Sequence, residues 1–340
     1  MVIAVVAPVP VVREKGGAEI LYESLARGLR QHGARVEVVE VVSDESDLGA
    51  LERTLDRFRG LDLAGFDGVI STKAPSYLVE HPNHVCYLLH TFRSFYDRFD
   101  DEFPCASPSK LRMRRLIHRL DRAALRPPRV RKVLTIGREV SVRLARWNGI
   151  ESDVLHPGLP PGPYACRGAK DLFLPSRLHR WKRVDLLVEA MRFVRARVGL
   201  KIAGEGEEAF RLRALAGADG RIEFLGEVSR EAVLGHYSEA LAVPFVPVGE
   251  DFGFVTAEAF ASGKPVITCL DSGEPARLVQ DGRTGFVCPP RPDEIADRID
   301  RLAADPSGAI AMGVRARESA AVPTWEEIGR RLLAELARAR

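Results

Sequence analysis

The sequence predicts an α/β protein of two doubly wound, Rossmann-like domains that face each other across a cleft. Short β-branched runs alternate with segments of helical periodicity, which is the order of a parallel sheet with helices on both faces. This alternation lapses into a Pro- and Gly-rich stretch at 151–170 and then restarts. The length of 340 residues also suits two domains of roughly 150 residues each.

The first domain is predicted at residues 1–155. It opens with the strand "VIAVVA" (2–7), and a helix over 16–33 follows and ends at Gly33. The strand "VEVVEVV" (36–42) then completes a βαβ unit, which implies parallel pairing. Apolar residues of the first helix are expected on one buried face: Ile20, Leu21, Leu25 and Leu29. Further strands are predicted at 67–71, 84–90 and 131–136, with helices between them.

A linker is predicted at 156–170 and the second domain at 171–323, where the βα alternation resumes. Its strands are expected at 171–176, 199–204, 221–226, 240–245, 265–269 and 285–288, and its helices near 183–197, 206–216, 229–238, 254–262 and 293–304. A last helix over 324–340 opens with Thr324, and Glu327 follows at the spacing of a capping box.

Composition excludes several classes of function. The net charge of +3 gives no warrant for a nucleic-acid partner. The five cysteines are scattered, so neither a disulfide framework nor a zinc site is expected. No apolar run reaches the roughly 20 residues of a membrane span, and the start of the chain lacks the basic region of a signal peptide. We therefore expect a cytoplasmic protein.

One segment is strongly basic. The run "RMRRLIHRLDR" (112–122) has helical spacing and includes the apolar residues Leu116, Ile117 and Leu120. An amphipathic helix with a solvated face is the first interpretation. The alternative is a surface for anionic lipid or an acidic substrate, which leaves open a peripheral contact with the inner face of a membrane.

The candidate motifs all follow predicted strands, on the edge where doubly wound sheets bind ligands. The cleft between two such domains is the expected site. The first motif, "KGGAE", places Gly16 and Gly17 at a helix start, where the backbone can approach an anion closely. A plain turn is the alternative. The chain lacks GxGxxG here, so the sequence does not favour a dinucleotide site.

The second motif is "SRLHRWKRVDLLVEA" (176–190). Arg177 and Lys182 lie between a strand and a helix, and two cations there can hold a diphosphate. Their alternative is a solvated basic loop.

The third motif is "EDFGFVTAEAF" (250–260). Eight residues of helix would separate Glu250 from Glu258 by about 12 Å, roughly the span from a nucleotide's ribose to an attached sugar. Ionised carboxylates only accept hydrogen bonds, so they suit vicinal diols. The N–H groups of Phe252 and Gly253, near a helix start, can support sugar or phosphate oxygens. A helix start with favourable acidic residues is the alternative.

The fourth motif ends a strand of the first domain with His90, in "YLLHTFRSFYD". A histidine at that edge can exchange a hydrogen bond with a sugar hydroxyl or a leaving group. A structural histidine is the alternative.

Together these segments resemble the family-4 retaining glycosyltransferases of the GT-B fold. The matching pieces are "KGGAE", "LLH", "VLHPGL", "SRLHRWKRVDLLVEAM", "EDFGFVTAEAFASGKPVI" and "DGRTGFVCPP". Two longer segments, at 73–97 and 133–158, are similar to a bacterial subgroup that acts in surface-polysaccharide or glycoconjugate pathways. The second domain carries most of the resemblance.

The resemblance implies a catalytic set of four residues. Glu250 would bind hydroxyls of the donor sugar, and His90 would contact that sugar near the reacting centre. Arg177 and Lys182 would neutralise the diphosphate and stabilise it as a leaving group. The implied reaction retains the anomeric configuration and requires neither a cofactor nor a metal.

The resemblance also implies a donor-binding set. Glu258 would hold the ribose diol, the glycine pair would let a loop close over the diphosphate, and backbone near Gly226 would meet the base. The full set is Gly16, Gly17, Gly226, Val228, Phe252, Gly253, Phe254 and Glu258. The terminal helix would return to the first domain, as it does in this fold.

Two positions depart from the family pattern. Arg183 stands where many members have glycine, and we expect it to add charge near the phosphates. The segment "DSGEPAR" (271–277) replaces a Gly-Gly-containing loop that can touch the sugar, so the donor preference stays open.

The predicted function is therefore transfer of a sugar from a UDP- or GDP-linked donor to a glycan, lipid-linked or small-molecule acceptor. Two alternatives remain: an NAD-dependent oxidoreductase on doubly wound domains, and a catalytically silent sugar-binding subunit.

Overall fold

The computed structural model describes residues 1–11, 17–320 and 322–338. Its contacts divide the chain into two compact units. Unit 1 comprises Met1–Pro160 and Pro323–Arg340, and unit 2 comprises Pro161–Val322. The division near residue 160 falls inside the stretch that the sequence assigns to the linker. Gly16 lies outside the described residues.

Unit 1 is built on a parallel sheet of six strands in the order β2-β1-β3-β4-β5-β6. Its strands are β1 (Val2–Pro10), β2 (Arg35–Ser43), β3 (Gly68–Ser71), β4 (His84–Leu88), β5 (Lys132–Thr135) and β6 (Asp153–Val154). Its helices before the linker are α1 (Gly17–Arg30), α2 (Leu48–Arg59), α3 (Phe99–Glu102), α4 (Pro108–Ala124) and α5 (Arg138–Asn148).

The core of unit 1 forms around β1, whose residues 3–9 are buried. Leu21, Leu25 and Leu29 of α1 are also buried, at 1% exposure or less. Ile20, expected on the same face, is 39% exposed instead. Leu21, Leu25 and Leu29 recur every four residues, whereas Ile20 precedes Leu21 by one position and so points about 100° away around the helix.

Unit 2 contains two parallel sheets of three strands each, in the orders β7-β8-β9 and β10-β11-β12. The strands are β7 (Leu172–Pro175), β8 (Leu200–Ala203), β9 (Ile222–Gly226), β10 (Val243–Pro244), β11 (Val266–Cys269) and β12 (Gly285–Cys288). The helices are α6 (Val184–Met191), α7 (Ala209–Ala216), α8 (Arg230–Glu239), α9 (Phe254–Ala261), α10 (Glu274–Leu278), α11 (Pro292–Ala304) and α12 (Pro306–Ser319).

A single parallel bridge between Leu172 and Ala242 connects the two sheets of unit 2. The nitrogen of Phe173 also donates to the carbonyl oxygen of Ala242 at 3.2 Å. The strand expected at 240–245 is thus only two residues long, but its backbone still joins the halves. Buried apolar clusters line the strands of both sheets, so unit 2 has the doubly wound pattern that the sequence predicts.

The last helix, α13 (Trp325–Ala337), has the predicted capping box at Thr324 and Glu327. It packs on α1 within unit 1 at a very close crossing. A Cβ added to Gly329 would lie 2.4 Å from the carbonyl oxygen of Gly28, so only glycine fits there. The indole nitrogen of Trp325 donates to the carbonyl oxygen of Leu159 at 2.9 Å.

Within the described ranges, no helix has the length and apolar character that crossing a membrane requires. All five cysteines are free thiols, as their scattered spacing predicts.

Candidate functional site

The predicted basic motif forms the turn between β7 and α6. Arg177 is exposed two residues after the strand ends. Lys182 then closes a short 3-10 turn over Arg180–Lys182, and the Nδ1 atom of His179 accepts from the backbone nitrogen of Trp181 at 3.2 Å. This turn places both cations at the carboxyl edge of the β7-β8-β9 sheet, where doubly wound proteins bind ligands.

Lys182 and Glu250 meet in a direct ion pair. The Nζ atom of Lys182 lies 2.6 Å from Oε2 of Glu250, and their side chains are 26% and 19% exposed. The two residues belong to motifs separated by 68 positions. The fold therefore brings a cation of the second motif and a carboxylate of the third motif into one site.

Backbone pairing holds Glu250 against the segment that follows β11. The nitrogen of Glu250 donates to Ser272 O at 3.0 Å, and the nitrogen of Glu274 donates to Glu250 O at 3.0 Å. Gly273 lies between them with φ 74°, and a Cβ there would lie 2.5 Å from the backbone of Glu250. Glycine is therefore required at this point of close approach.

Helix α9 begins directly after this loop. Gly253 precedes it with φ 76°, and Phe254 is its first residue. The side chain of Phe252 is only 2% exposed, and its ring centroid lies 5.2 Å from that of Phe254. Phe252 thus fills the core, so a ligand contact at this position can involve its backbone but not its ring.

Glu258 lies one turn inside α9 and is buried, with 8% of its side chain exposed. Its Oε1 atom is 2.7 Å from Nη1 of Arg230, the first residue of α8. The hydroxyl of Tyr164 donates to the same oxygen at 3.5 Å and accepts from Nη2 of Arg230 at 2.7 Å. Glu258, Arg230 and Tyr164 therefore form a closed polar triad, which we call the Glu258 triad.

The charge state of Glu258 reflects two opposing effects. Burial raises the pKa of its carboxyl group above the usual range, and the charge of Arg230 and hydrogen bonds from Arg230, Tyr237 and Tyr164 offset only part of that rise. Arg230 and the two tyrosines are thus what favours the ionised form in an apolar setting. An ionised Glu258 is the form that can accept hydrogen bonds from a diol.

The predicted base-binding segment follows β9. Gly226 ends that strand with φ 66°, and its carbonyl oxygen accepts from the nitrogen of Gly204 at 2.7 Å. Val228 is half-buried and packs against the apolar cluster of unit 2. Ser229 then caps α8, so this segment leads directly to Arg230 and the Glu258 triad.

His90 lies in unit 1, two residues beyond β4, and is half-buried. Its Nδ1 atom is 2.9 Å from the carbonyl oxygen of Thr91. A carbonyl oxygen only accepts, so Nδ1 carries the hydrogen and Nε2 is left as the acceptor. Burial, followed by the charge of Lys73, lowers the pKa of His90 to about 3. The imidazole is therefore neutral at physiological pH.

Cations surround His90 at this edge of unit 1. Lys73, Arg93 and Arg143 each disfavour its protonation. Arg93 and Arg143 share the carboxylate of Asp97, at 2.6 and 3.5 Å. These residues follow β3, β4 and β5, three adjacent strands of one parallel sheet, so their carboxyl ends place them together.

The basic segment forms α4, an amphipathic helix as predicted, with Met113 and Ile117 buried. A shallow depression of about 600 Å³ lies beside it, lined mainly by Arg115, His118, Arg119, Arg122 and Arg126. The same helix also buries a carboxylate, because Asp121 is 0% exposed.

Asp121 is held by a hydrogen-bond chain inside unit 1. The hydroxyl of Tyr96 donates to its Oδ2 atom at 2.8 Å, and Nδ2 of Asn148 donates to that hydroxyl at 3.0 Å. Burial raises the pKa of Asp121 to about 7. No local pattern in the sequence indicates this burial, since an aspartate within a basic run is normally solvated.

The contacts of Arg183 differ from the expectation that it adds charge near the phosphates. Its guanidinium is bound to Asp271 through two contacts of 2.8 and 2.6 Å, so its charge is matched by a carboxylate and is not simply added near the phosphates. Its backbone is left-handed, with φ 48°.

The structure thus assembles Lys182 with Glu250 and sets Glu258 one turn further along α9. Arg230, Tyr164 and Tyr237 were missed by sequence reasoning. Arg230 follows an ordinary helix cap and Tyr164 lies in a Pro- and Gly-rich stretch, so their closeness to Glu258 has no local signal. The roles assigned to individual site residues stay predictions.

Comparison with known proteins finds similarity to glycosyltransferases, chiefly in the second half of the chain. Residues 169–305 match the family described as "Glycosyl transferases group 1". The chain is 27% identical over 203 residues to the human alpha-1,3/1,6-mannosyltransferase ALG2, covering 49% of this chain and 48% of that protein. It is 34% identical over 165 residues to a GDP-mannose-dependent alpha-(1-6)-phosphatidylinositol monomannoside mannosyltransferase of Mycolicibacterium smegmatis, covering 44% and 43%. Across the curated relatives it matches, the chain spans 20–48% of their length.

Solved structures match over nearly the whole chain. Anabaena Alr3699/HepE, solved in complex with UDP and glucose, has a TM-score of 0.73 at 16% identity and covers 98% of each chain. WaaG, a glycosyltransferase involved in lipopolysaccharide biosynthesis, has a TM-score of 0.73 at 15% identity and covers 100% of each chain. The predicted fold class is confirmed by these structures, and residues 169–305 match the glycosyltransferase group 1 family, in agreement with the resemblance to the family-4 glycosyltransferases of the GT-B fold.

Proposed function

We propose that the protein transfers a sugar, with retention of anomeric configuration, from a UDP- or GDP-linked donor to a glycan, lipid-linked or small-molecule acceptor. The observation that carries this proposal is the Lys182–Glu250 pair at 2.6 Å. It joins a cation suited to a phosphate and a carboxylate suited to sugar hydroxyls. A nucleotide sugar has these two groups next to each other, where its diphosphate joins the anomeric carbon.

The other donor contacts follow from the neighbouring residues. Arg177, exposed beside Lys182, adds the second cation for the diphosphate. Glu258, whose ionised form is favoured by Arg230 and two tyrosines against the effect of burial, accepts from the ribose diol. The segment at Gly226–Val228 meets the base. Both UDP- and GDP-linked donors remain in the proposal because a structural neighbour was solved with UDP and a relative is named for GDP-mannose.

Same-face substitution is the mechanism that this set supports best. Arg177 and Lys182 stabilise the departing diphosphate, whose oxygen takes the proton of the acceptor hydroxyl as the new glycosidic bond forms. Glu250 is occupied by Lys182 and by sugar hydroxyls, which argues against a covalent role. His90, neutral and with Nε2 as an acceptor, orients a hydroxyl of the transferred sugar.

We further propose that the acceptor is reached at the inner face of a membrane. The support is the basic surface of α4, whose arginines and His118 line the depression described above. Polybasic surfaces bind anionic lipid with about 1 kcal/mol per cation near the membrane. Sedimentation with vesicles containing anionic lipid tests this, and equal binding to neutral vesicles would reject it.

A panel of nucleotide sugars tests the donor assignment. Donor binding raises the unfolding temperature by mass action, so the true donor should give the largest shift. The anomeric configuration of the product, read by NMR, then tests retention. Donor binding without any transfer or donor hydrolysis would favour a silent sugar-binding subunit. Binding of NAD with a spectral change on reduction would favour the oxidoreductase.

The cations at 177 and 182 supply the charge that a divalent metal supplies in other transferases. We therefore propose that transfer needs no added metal. Full activity in the presence of a chelator is the expected result, and activity restored only by Mg²⁺ or Mn²⁺ would contradict it.

A further inference from the structure

Arg183 has an unusual backbone conformation. Its φ of 48° is the only positive value at a non-glycine position among the described residues. The left-handed region costs conformational free energy in any residue except glycine. The contacts of the arginine side chain must therefore offset this cost.

The guanidinium of Arg183 makes four hydrogen bonds within unit 2. Two go to Asp271, from Nη1 at 2.8 Å and from Nη2 at 2.6 Å. The others go to backbone carbonyl oxygens after β10: Nε donates to Val246 at 2.8 Å and Nη2 donates to Pro247 at 3.0 Å. Its side chain is only 17% exposed. Because the guanidinium group is planar, these hydrogen bonds fix the orientation of its partners as well as their distance.

These contacts join the three segments that form the donor site. Arg183 itself follows Lys182 in the β7–α6 turn. Val246 and Pro247 lead directly to Gly249 and Glu250. Asp271 begins the segment whose backbone pairs with Glu250, because Gly249 N donates to Asp271 O at 2.8 Å and Glu250 N donates to Ser272 O at 3.0 Å. One side chain therefore connects both partners of the Lys182–Glu250 pair to the 271–274 segment.

We propose that Arg183 is a positioning residue that sets the geometry of Lys182 and Glu250 by tying the β7–α6 turn to the segments at 246–250 and 271–274. The inference rests on the proposed sugar transfer. Arg183 acts through Lys182 and Glu250, because its guanidinium is engaged by Asp271 and by the carbonyl oxygens of Val246 and Pro247.

The chemistry of the guanidinium group explains why arginine is needed. Lysine would keep the charge but could not reach two carbonyl oxygens and two carboxylate oxygens at once. Glycine would relax the backbone but remove every contact. Asn at 271 would keep the shape of Asp271 while losing the charge that makes the pair strong.

The first test compares Arg183→Met, Arg183→Lys, Arg183→Gly and Asp271→Asn. Arg183→Met should lower kcat by about 10- to 100-fold, since small misplacements of reacting groups have effects of that size. The dissociation constant of UDP or GDP alone should change by less than about threefold, because ribose and base contacts lie elsewhere. Arg183→Lys should fall between Arg183→Met and the native enzyme.

Arg183→Gly separates positioning from stability. It removes the left-handed strain, so its unfolding temperature should drop less than that of Arg183→Met. Its kcat should be as low as that of Arg183→Met. The double variant R183M/D271N should lose no more activity than R183M, because the two side chains act as one unit.

Amide hydrogen exchange gives a readout that does not depend on turnover. The N–H groups of Gly249 and Glu250 should exchange faster in R183M, since the segments that they join lose their tie. Arg195→Met is the matched control. It breaks another arginine–aspartate pair of unit 2, with Asp300 at 3.1 Å, before the amino end of β8. Neither kcat nor exchange at 249 and 250 should change in it.

Two outcomes would overturn the inference: native exchange rates at 249 and 250 in R183M, or native kcat in its folded fraction. Absence of transfer by the unsubstituted protein would instead refute the proposed function. The exchange measurement would still decide whether Arg183 holds the Glu250 segment.

Discussion

The two units present the same kind of edge, where loops follow parallel strands, but they treat buried charge in opposite ways. In unit 2, Lys182 faces Glu250 and Arg230 faces Glu258, so each carboxylate has a cation within 2.7 Å. In unit 1, burial suppresses charge: the pKa of His90 falls to about 3 and that of Asp121 rises to about 7.

The two arrangements suit different kinds of ligand contact. Paired charges remain available to a ligand, because a diphosphate or a diol can take the place of one partner. Suppressed charges leave neutral groups that donate or accept hydrogen bonds without attracting ions. We infer that unit 2 is arranged for a charged donor, whereas the edge of unit 1 relies more on neutral hydrogen bonds and on shared ion pairs.

Lys182→Ala tests the charge pairing of unit 2 and should have the largest effect. Removing the cation should lower kcat by about 100- to 1,000-fold, the usual cost of losing one group that stabilises developing charge. Steady-state kinetics and calorimetry with the donor are the measurements, and the fall in kcat should exceed the fall in affinity.

Lys170→Ala is the control for that variant, because its pair with Glu239 is exposed and 3.2 Å long. It should leave kcat within about twofold. Equal losses of kcat and donor affinity in Lys182→Ala would mean that Lys182 only anchors the donor.

Asp121→Asn tests the suppressed charge of unit 1. The folded state holds a proton on Asp121 up to about pH 7, whereas an aspartate in the unfolded chain loses it near its usual pKa of 3.8. Between these values the native state binds the extra proton, so this group makes the free energy of unfolding fall as pH rises, by about 1.4 kcal/mol per pH unit.

Asparagine cannot titrate, so the free energy of unfolding of the variant should rise relative to that of the native protein by about 1.4 kcal/mol per pH unit between pH 5 and 7. Above pH 7 this difference should stay constant. Denaturant unfolding at several pH values measures it. A difference that does not vary with pH would show that Asp121 is already ionised in the folded state.

Arg230→Met tests the Glu258 triad and should have a smaller effect. It leaves a buried carboxylate without its cation, which should lower the free energy of unfolding by about 1–3 kcal/mol once the partial exposure of Arg230 is allowed for. Without Arg230 the pKa of Glu258 rises further, so the loss should be present at pH 7.5 and shrink as pH falls towards 5. A loss that is the same at both values would contradict this assignment.

Tyr164→Phe should have the smallest effect. It removes one hydroxyl, which accepts from Arg230 at 2.7 Å and donates to Glu258 at 3.5 Å, and should cost about 0.5–1.5 kcal/mol. Thermal unfolding with and without UDP or GDP measures stability and nucleotide binding together. A larger loss here than in Arg230→Met would mean that the hydroxyl, and not the guanidinium, is the main partner of Glu258.

Sequence alone could predict the parts that are local or periodic. The βα alternation indicates the two doubly wound units, and the capping box at Thr324 and Glu327 indicates the start of α13. The motifs at 177–182 and 250–258 could be placed on one edge because parallel strands share the direction of their ends.

Contacts between side chains that are far apart in the sequence could not be predicted from local patterns. Arg183 meets Asp271 across 88 positions, and Arg230 meets Glu258 across 28. No spacing rule connects such residues; only the packing of sheets and helices does. The burial of Asp121 could not be predicted either, because a basic run on a helix is typical of a solvated face. The carboxylate of Asp121 nevertheless lies on the buried side of α4.

The packing of α13 on α1, with Gly329 against Gly28, has a consequence for synthesis. Unit 1 contains the first 160 residues and the last segment of the chain, with unit 2 inserted between them. On the ribosome, at about 5–20 residues per second, roughly 8–30 s separate the emergence of Pro160 from that of Pro323. During that interval the surface of α1 that α13 covers has no partner from unit 1, so this part of the core is completed only after unit 2 has been synthesised.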